Sequence, residues 1–452
     1  MRTVAFHNLG CKVNSYEMDV MQQKFAEMGY MIVPFDFKAD IYIVNTCTVT
    51  NIADRKSRQM LHKAKKQNPK ALVVAAGCYV QTAGDNAKSD DSIDLCVGNN
   101  KKAEIVEIVE DYLESKGLLK EASVIDIGAT QEYEDMTLQS TPEKVRAYIK
   151  IQDGCNQFCT YCAIPYARGR VRSREAEKIV NEIEGLVKRG YKEFVLTGIH
   201  ISSYGKDFAD GAAARAKGEN TQPIINSLLE LIKRISAIGG VLRIRLGSLE
   251  PRIVTEEFAS TLSKLPNVCP HFHLSLQSGC NDTLKRMNRH YTAEEYYKGV
   301  ELLRKYFDNP AITTDIITGF PGETGEEFEE TEAFVKKVNF YETHIFKYSP
   351  RKGTVAAGLK AQNTEKVKAS RSKALEAINA TNSKSFREAH IGQMTSVLIE
   401  EEKEFNGKKY MLGHTPDYIL VAVDSENVEV NEIVNVKIAG FLNDTVMRGD
   451  KD

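Results

Sequence analysis

No apolar run in the 452 residues is long enough to cross a bilayer, and the opening "RTVAFHNLG" reads as strand and turn rather than a secretory leader. Both absences lead to the expectation of a cytoplasmic protein with no membrane partner. Net charge is also nearly absent: 60 Lys and Arg against 62 Asp and Glu leave −2. That excludes a wholly basic nucleic-acid coat, so any contact with a polyanion must come from local patches. Long repeats and low-complexity tracts are missing too. What remains, 42% hydrophobic and 27% charged, is ordinary for a globular chain. The length allows two or three domains.

Cysteine is well represented, with nine residues. In a cytosolic setting these rarely mean disulfides. Metal or redox chemistry is the better reading, although a free cysteine is as often a small buried hydrophobe.

Up to about residue 120, strands and helices alternate. "TVAFHNLG", "DIYIVNT" and "ALVVAAG" are strand candidates, and Ser15–Tyr30 and Ala53–Asn68 carry helical periodicity. This alternation predicts a doubly wound parallel sheet. Cys11, Cys47 and Cys78 each follow one of the three strands, so the topology brings them to one carboxyl-end rim, where sites form. A mixed-polarity connection follows. Six strand–helix units then run from "VRAYIKIQDGC" to "ETHIFKYS", which predicts a full or partial β/α barrel with function at the strand ends. Gly205–Gln222 reads as a polar surface insertion. Past residue 364 a helix-rich connector precedes short β runs, which suggest a small OB-like all-β barrel.

The first barrel strand feeds "DGCNQFCTYCAIPYARGR", with Cys155, Cys159 and Cys162 at C-x3-C-x2-C. Zinc wants a fourth ligand, and none is near in sequence. A thioredoxin-type pair would not need Cys155. A [4Fe–4S] cluster uses thiolates at such spacings, usually four. With three, one iron stays open to a small molecule.

C-x3-C-x2-C after the first strand of a β/α barrel resembles the radical S-adenosylmethionine (SAM) enzymes. Together with "NLGCKVNSYE", "NTCTVT" and "AAGCY", the chain resembles the methylthiotransferases over nearly its whole length. The resemblance implies an α/β domain at 1–118, a linker at 119–140, a radical SAM partial (β/α)6 barrel at 141–372 and a TRAM β-barrel at 373–445. It implies two [4Fe–4S] clusters, one on Cys11, Cys47 and Cys78 and one on Cys155, Cys159 and Cys162. One SAM would donate a methyl group to sulfur, and a second would give a 5′-deoxyadenosyl radical. A flavodoxin or ferredoxin and a sulfur donor would serve the reaction, and the chain is expected to be a monomer.

For SAM itself, the strand ends offer Thr197 and Gly198 in "LTGIH", Ser248 and Glu250 in "GSLEP", Gln277 in "SLQSG", and Gly319 and Gly322 in "GFPGET". Each could instead be a plain turn at a barrel end. "GFPGET" lacks the lysine of a phosphate-binding loop. Cys96, Cys269 and Cys280 read as structural.

Arg168, Arg170, Arg172 and Arg174 alternate past the cysteine loop. Arginine pairs bidentately with phosphate, but these could equally pair with Glu175 and Glu177. Arg55, Lys56 and Arg58 head a second basic patch. With the C-terminal barrel, these features favour an RNA substrate over a compact protein. Within the family, "LTGIHISSYG", "CPHFHLSLQSGCNDTLKRMNR" and "FKYSPRKGT" are most similar to the branch acting on threonylcarbamoyl-adenosine at tRNA position 37, beside the anticodon. The other branches take isopentenyl-adenosine or a ribosomal-protein aspartate. A non-enzymatic metal-containing RNA-binding protein is the rival from another class.

Overall fold

The computed structural model describes residues 1–115, 124–140, 145–208 and 223–451. Five strands form the N-terminal sheet: β1 (Thr3–Asn8), β2 (Met31–Val33), β3 (Ile41–Thr46), β4 (Leu72–Gly77) and β5 (Leu95–Val97). Their order is β2-β1-β3-β4-β5, and every pairing is parallel. β3 and β4, "IYIVNT" and "LVVAAG", are buried at every position. A parallel sheet covered by helices on both faces requires such unbroken apolar runs. The helices Lys12–Glu27 and Asn51–Gln67 supply part of that cover. The doubly wound expectation holds. β2 and β5 are only three residues each, too short to show a period.

The second unit is an open arc of six parallel strands: β6 (Arg146–Asp153), β8 (Glu193–Gly198), β9 (Arg243–Leu246), β10 (His271–His273), β11 (Ala311–Thr318) and β12 (Glu342–Lys347). The two-residue β7 (Arg172–Ser173) pairs antiparallel with the end of β6. Isolated parallel bridges, such as Leu249 to Leu274, link the two halves of the arc. Along β6, Ala147, Ile149 and Ile151 join the main apolar core, while the alternating Arg146, Lys150 and Gln152 are buried but polar. Strand alternation thus puts a charged face opposite the helix-covered one.

The segment 124–140 is packed rather than loose. Met136 and Leu138 are buried in the main core, and the Leu138 N–H donates to Glu182 Oε1 at 2.7 Å. Most of the insertion expected at 205–222 lies outside the described residues, as do 119–123 of the expected linker.

After the helix Glu365–Glu388, β13 (Met394–Phe405), β14 (Lys408–His414), β15 (Leu420–Asp424), β16 (Ile433–Phe441) and β17 (Met447–Lys451) close into a small barrel. It docks on the strand-start end of the arc. Arg146 donates to the Tyr418 hydroxyl at 2.9 Å, Arg243 to the His414 carbonyl at 2.8 Å and Arg245 to the Pro416 carbonyl at 2.9 Å. The cysteine loop leaves the opposite end of β6.

Candidate active site

β6 ends at Asp153, and Gly154 turns the chain with φ +71°. A Cβ at Gly154 would stand 1.7 Å from the Arg170 carbonyl oxygen, so only glycine fits. Asp153 Oδ1 accepts the Gly154 N–H at 2.8 Å. The Cys155 N–H then donates to the Gly169 carbonyl at 3.0 Å and the Cys162 N–H to the Cys159 carbonyl at 2.9 Å. A second loop braces this one. The Thr160 N–H donates to the Met287 carbonyl at 3.0 Å, and Asn288 Nδ2 donates to the carbonyls of Gln157 and Phe158 at 3.2 and 3.1 Å. Arg289 Nη1 donates to Cys159 Sγ at 3.2 Å.

The N-terminal triad follows three adjacent strands. Cys11 caps the helix Lys12–Glu27, Cys47 follows β3, and Cys78 follows β4. A Cβ on Gly10 would meet Cys47 Sγ at 3.1 Å. The thiols of Cys11 and Cys47 each feel the charge of Cys78, which places all three in one electrostatic neighbourhood. Cys78 Sγ accepts from Arg168 Nε at 3.3 Å and from Asn99 Nδ2 at 3.5 Å.

Both triads fit a cluster chemically. Burial pushes the Cys47 and Cys155 thiols up to about 11 and Cys162 to about 12. Burial also raises Cys11, which keeps an exposed edge at the mouth of its recess. Such thiols become thiolates only where positive charge is supplied, which is what iron provides. Each triad also has one arginine donating to one sulfur, the kind of outer-shell hydrogen bond that tunes cluster potentials. Among the described residues, no three His, Cys, Asp or Glu side chains converge on a single-ion site. A cubane gives each thiolate its own iron and so accepts a wider spread than one ion does.

The arginines that follow the cysteine loop turn inward. Arg168, Arg172 and Arg174 are 1%, 0% and 1% exposed, which corrects the expectation that they face RNA. Arg168 bridges Glu17 of the N-terminal unit and Asp153 of the arc. Lys150 Nζ lies 2.7 Å from both carboxylates, and Lys102 also pairs with Glu17. Burial alone would raise the Glu17 carboxyl, but Arg168, Lys102 and Lys150 together hold it well below its usual value. With Arg172 Nη2 4.0 Å from Asp153, four cations face Glu17 and Asp153, which leaves positive charge beside Cys78. Arg174 is bound by Glu182 and Asp135, while Glu175 and Glu177 pair instead with Lys178 and Arg234. Only Arg170 stays exposed, its guanidinium 4.5 Å from the Phe158 ring centre. Arg55, Lys56 and Arg58 are exposed on their helix.

The residues suggested for SAM scatter more. Gln277 lines a cavity of about 200 Å³ together with Cys162, Asp315, Ile317, Phe346 and Tyr348. Thr197 and Gly198 close β8, and Glu250 is buried and paired with Arg252. Ser248 is exposed. Near Glu250, the Nε2 of His200 is buried without a partner, and burial pushes this imidazole down to about 4, so it is neutral at pH 7. An orphaned polar atom at a strand end fits a polar cofactor such as SAM. The glycines of "GFPGET" lie against long cationic side chains. A Cβ on Gly319 would meet Lys368 at 2.4 Å and one on Gly322 would meet Arg286 at 3.4 Å. Thr324 of the same motif caps the helix Gly325–Val338 in a capping box with Glu327. Arg289 and His200 sit within the quoted "CPHFHLSLQSGCNDTLKRMNR" and "LTGIH", but nothing in their spacing marked them as site residues.

A second cavity, of about 810 Å³, lies between the N-terminal sheet and the arc. Thr48, Tyr79 and Ala163 line it, and these are the residues immediately after Cys47, Cys78 and Cys162. The cavity is thus lined by the sequence neighbours of Cys47, Cys78 and Cys162, while Cys162 itself lines the smaller cavity.

Comparison with known proteins agrees with this architecture. Residues 149–335 match the radical SAM superfamily, and residues 3–98 match the uncharacterized protein family UPF0004. The threonylcarbamoyladenosine tRNA methylthiotransferase MtaB of Bacillus subtilis is 39% identical over 98% of this chain and 95% of its own. Its Aquifex aeolicus counterpart is 40% identical over 90% and 95%. A tRNA-2-methylthio-N(6)-dimethylallyladenosine synthase of Clostridium botulinum is 34% identical over 95% and 92%. The radical S-adenosylmethionine methyltransferase TsrM of Kitasatospora setae shares the fold, with a TM-score of 0.51 at 16% identity over 76% of this chain and 73% of that one. The site and these relatives define a radical SAM enzyme, which implies a [4Fe–4S] cluster and SAM. Within that class, the chain belongs to the methylthiotransferase family.

Proposed function

We propose that this enzyme methylthiolates C2 of N6-threonylcarbamoyladenosine at position 37 of tRNA, consuming two SAM, one as methyl donor and one as radical source. The observation that carries this reading is the cavity between the two units, lined by residues that directly follow cysteines of both triads in the chain. The names of the relatives at 39% and 40% identity support the substrate.

In this reading Cys155, Cys159 and Cys162 hold one [4Fe–4S] cluster, and Cys11, Cys47 and Cys78 hold a second. With cluster and SAM bound, the arc supplies one-electron cleavage of SAM and a carbon radical able to take hydrogen from an unactivated carbon. The chain's own residues position and shield that chemistry. Arg289 fixes Cys159, Arg168 fixes Cys78, and the Asn288 amide locks the cysteine loop. The packed core beneath the arc keeps water from one side of the site. His200 and Gln277 are placed to take polar groups of SAM. The small C-terminal barrel, on the far end of the arc, serves as a second grip on the RNA. Position 37 lies in a single-stranded loop, whose bases can be splayed into a pocket. A flavodoxin or ferredoxin and a sulfur donor complete the reaction, with the enzyme a cytoplasmic monomer.

The test is nucleoside mass spectrometry of tRNA from cells lacking the native enzyme, with and without this chain. Appearance of 2-methylthio-N6-threonylcarbamoyladenosine supports the reading. Appearance of the methylthio-isopentenyl nucleoside moves the enzyme to the neighbouring branch. Neither product, with SAM cleavage intact, points to the ribosomal-protein aspartate.

A further inference from the structure

The charges lining the 810 Å³ cavity do not balance. Its two carboxylates are occupied. Asp54 is paired with Arg351, and Asp90 accepts from the Ser92 N–H at 2.9 Å and contacts His62 at 3.0 Å. Arg351 is itself engaged, with Nη2 donating to Thr48 Oγ1 at 2.8 Å, yet its buried Nε has no acceptor. Arg58 and Lys352 also line the cavity. Both are exposed, and neither makes a hydrogen bond or ion pair among the described residues. The cavity therefore presents two free cations: Arg58 from the helix Asn51–Gln67, and Lys352 from the loop after β12.

An apolar side group such as isopentenyl would gain nothing from this lining. A carboxylate would gain charge-assisted hydrogen bonds, bidentate on the arginine. The threonylcarbamoyl group ends in a carboxylate, and the isopentenyl group carries no charge. Tyr166, 52% exposed at the same cavity, offers a ring face on which a splayed base can stack. We propose that Arg58 and Lys352 form a carboxylate subsite that selects the threonylcarbamoyl base over its isopentenyl counterpart. This rests on the substrate reading above and adds the residues that enforce it. The other source of an anion here is a backbone phosphate, and the experiment separates the two.

The experiment measures binding of three anticodon stem-loops of one sequence to the full chain and to the R58Q/K352Q double variant. The loops carry threonylcarbamoyl-adenosine, its methyl ester, or unmodified adenosine at position 37. The expected result is that the unaltered protein binds the carboxylate form about tenfold or more tighter than the ester. The double variant should lose that ratio and bind the ester as the unaltered protein does, which also shows that it is folded. A variant that keeps the ratio overturns the proposal. So does one that weakens all three loops equally, since that is the signature of phosphate contacts. If the unaltered protein binds the threonylcarbamoyl loop no tighter than the unmodified one, the substrate reading has failed, and this shows without any variant.

Discussion

Arg168 donates its Nε–H to Cys78 Sγ across 3.3 Å while its Nη1 meets Asp153 at 3.1 Å. Cys78 opens the short helix that follows β4 of the N-terminal unit. Asp153 is the last residue of β6, two positions before Cys155. One buried guanidinium thus ties the rim of one triad to the root of the other. Glu17 joins the same group, so a buried ion network ties the two units together beside the apolar core that they share.

Removing one partner from a buried ion network leaves the others uncompensated. Arg168→Met is expected to destabilise the protein by about 3–5 kcal/mol. Thermal melts check this, and a variant that melts like the parent would show that the network is not needed for the interface.

Arg289 is less entangled, with contacts to Cys159 Sγ, the Tyr291 hydroxyl and the Ser275 carbonyl. Arg289→Gln should keep the iron content but move the potential of the barrel centre to more negative values, because an N–H···S bond and a positive charge both favour the reduced state. A redox titration followed by electron paramagnetic resonance reads the shift. An unchanged potential would mean that Arg289 only packs.

Alanine at Cys155, Cys159 or Cys162 should abolish SAM cleavage, whereas alanine at Cys11, Cys47 or Cys78 should leave cleavage and remove methylthio product. Paired assays of 5′-deoxyadenosine and modified nucleoside separate the two classes. Full product from a variant of the second class would remove the N-terminal triad from the mechanism.

Gly154→Ala forces a methyl group to within 1.7 Å of a backbone oxygen at φ +71°. The cysteine loop must move, at a cost of at least about 2 kcal/mol. The expected result is a lower melting temperature with reduced iron at the barrel site and normal iron at the other.

Stability should also depend on pH through His390, whose Nε2 lies 2.6 Å from Asp417 Oδ2. Burial lowers the affinity of this imidazole for a proton, but the Asp417 carboxylate outweighs it and raises the pKa above the usual 6.5. A raised histidine contributes its full stability below about pH 6.5 and loses it as pH climbs through the folded value. His390→Gln should therefore cost on the order of 1–2 kcal/mol at pH 6 and little at pH 9. A mutant–parent difference that is flat with pH would contradict this.

The sequence by itself determined the strand order of events: three apolar runs each ending at a cysteine, six strand–helix units, and a C-x3-C-x2-C loop after the first of them. These are local patterns, set by period and spacing, and the fold follows them. Only the tertiary structure decided where the arginines point. "ARGRVRSR" alternates like a cationic stripe, yet β7 pairs back onto β6 and turns Arg168, Arg172 and Arg174 inward. The carboxylates that receive Arg168 lie 151 and 15 residues away in the chain, and nothing local announces the farther one. The packing likewise set the "GFPGET" glycines beside Lys368 and Arg286, and left Arg58 and Lys352 free over a cavity between the two units. Charge compensation is a long-range property, because a buried guanidinium is tolerated only where the fold brings its counter-charges together.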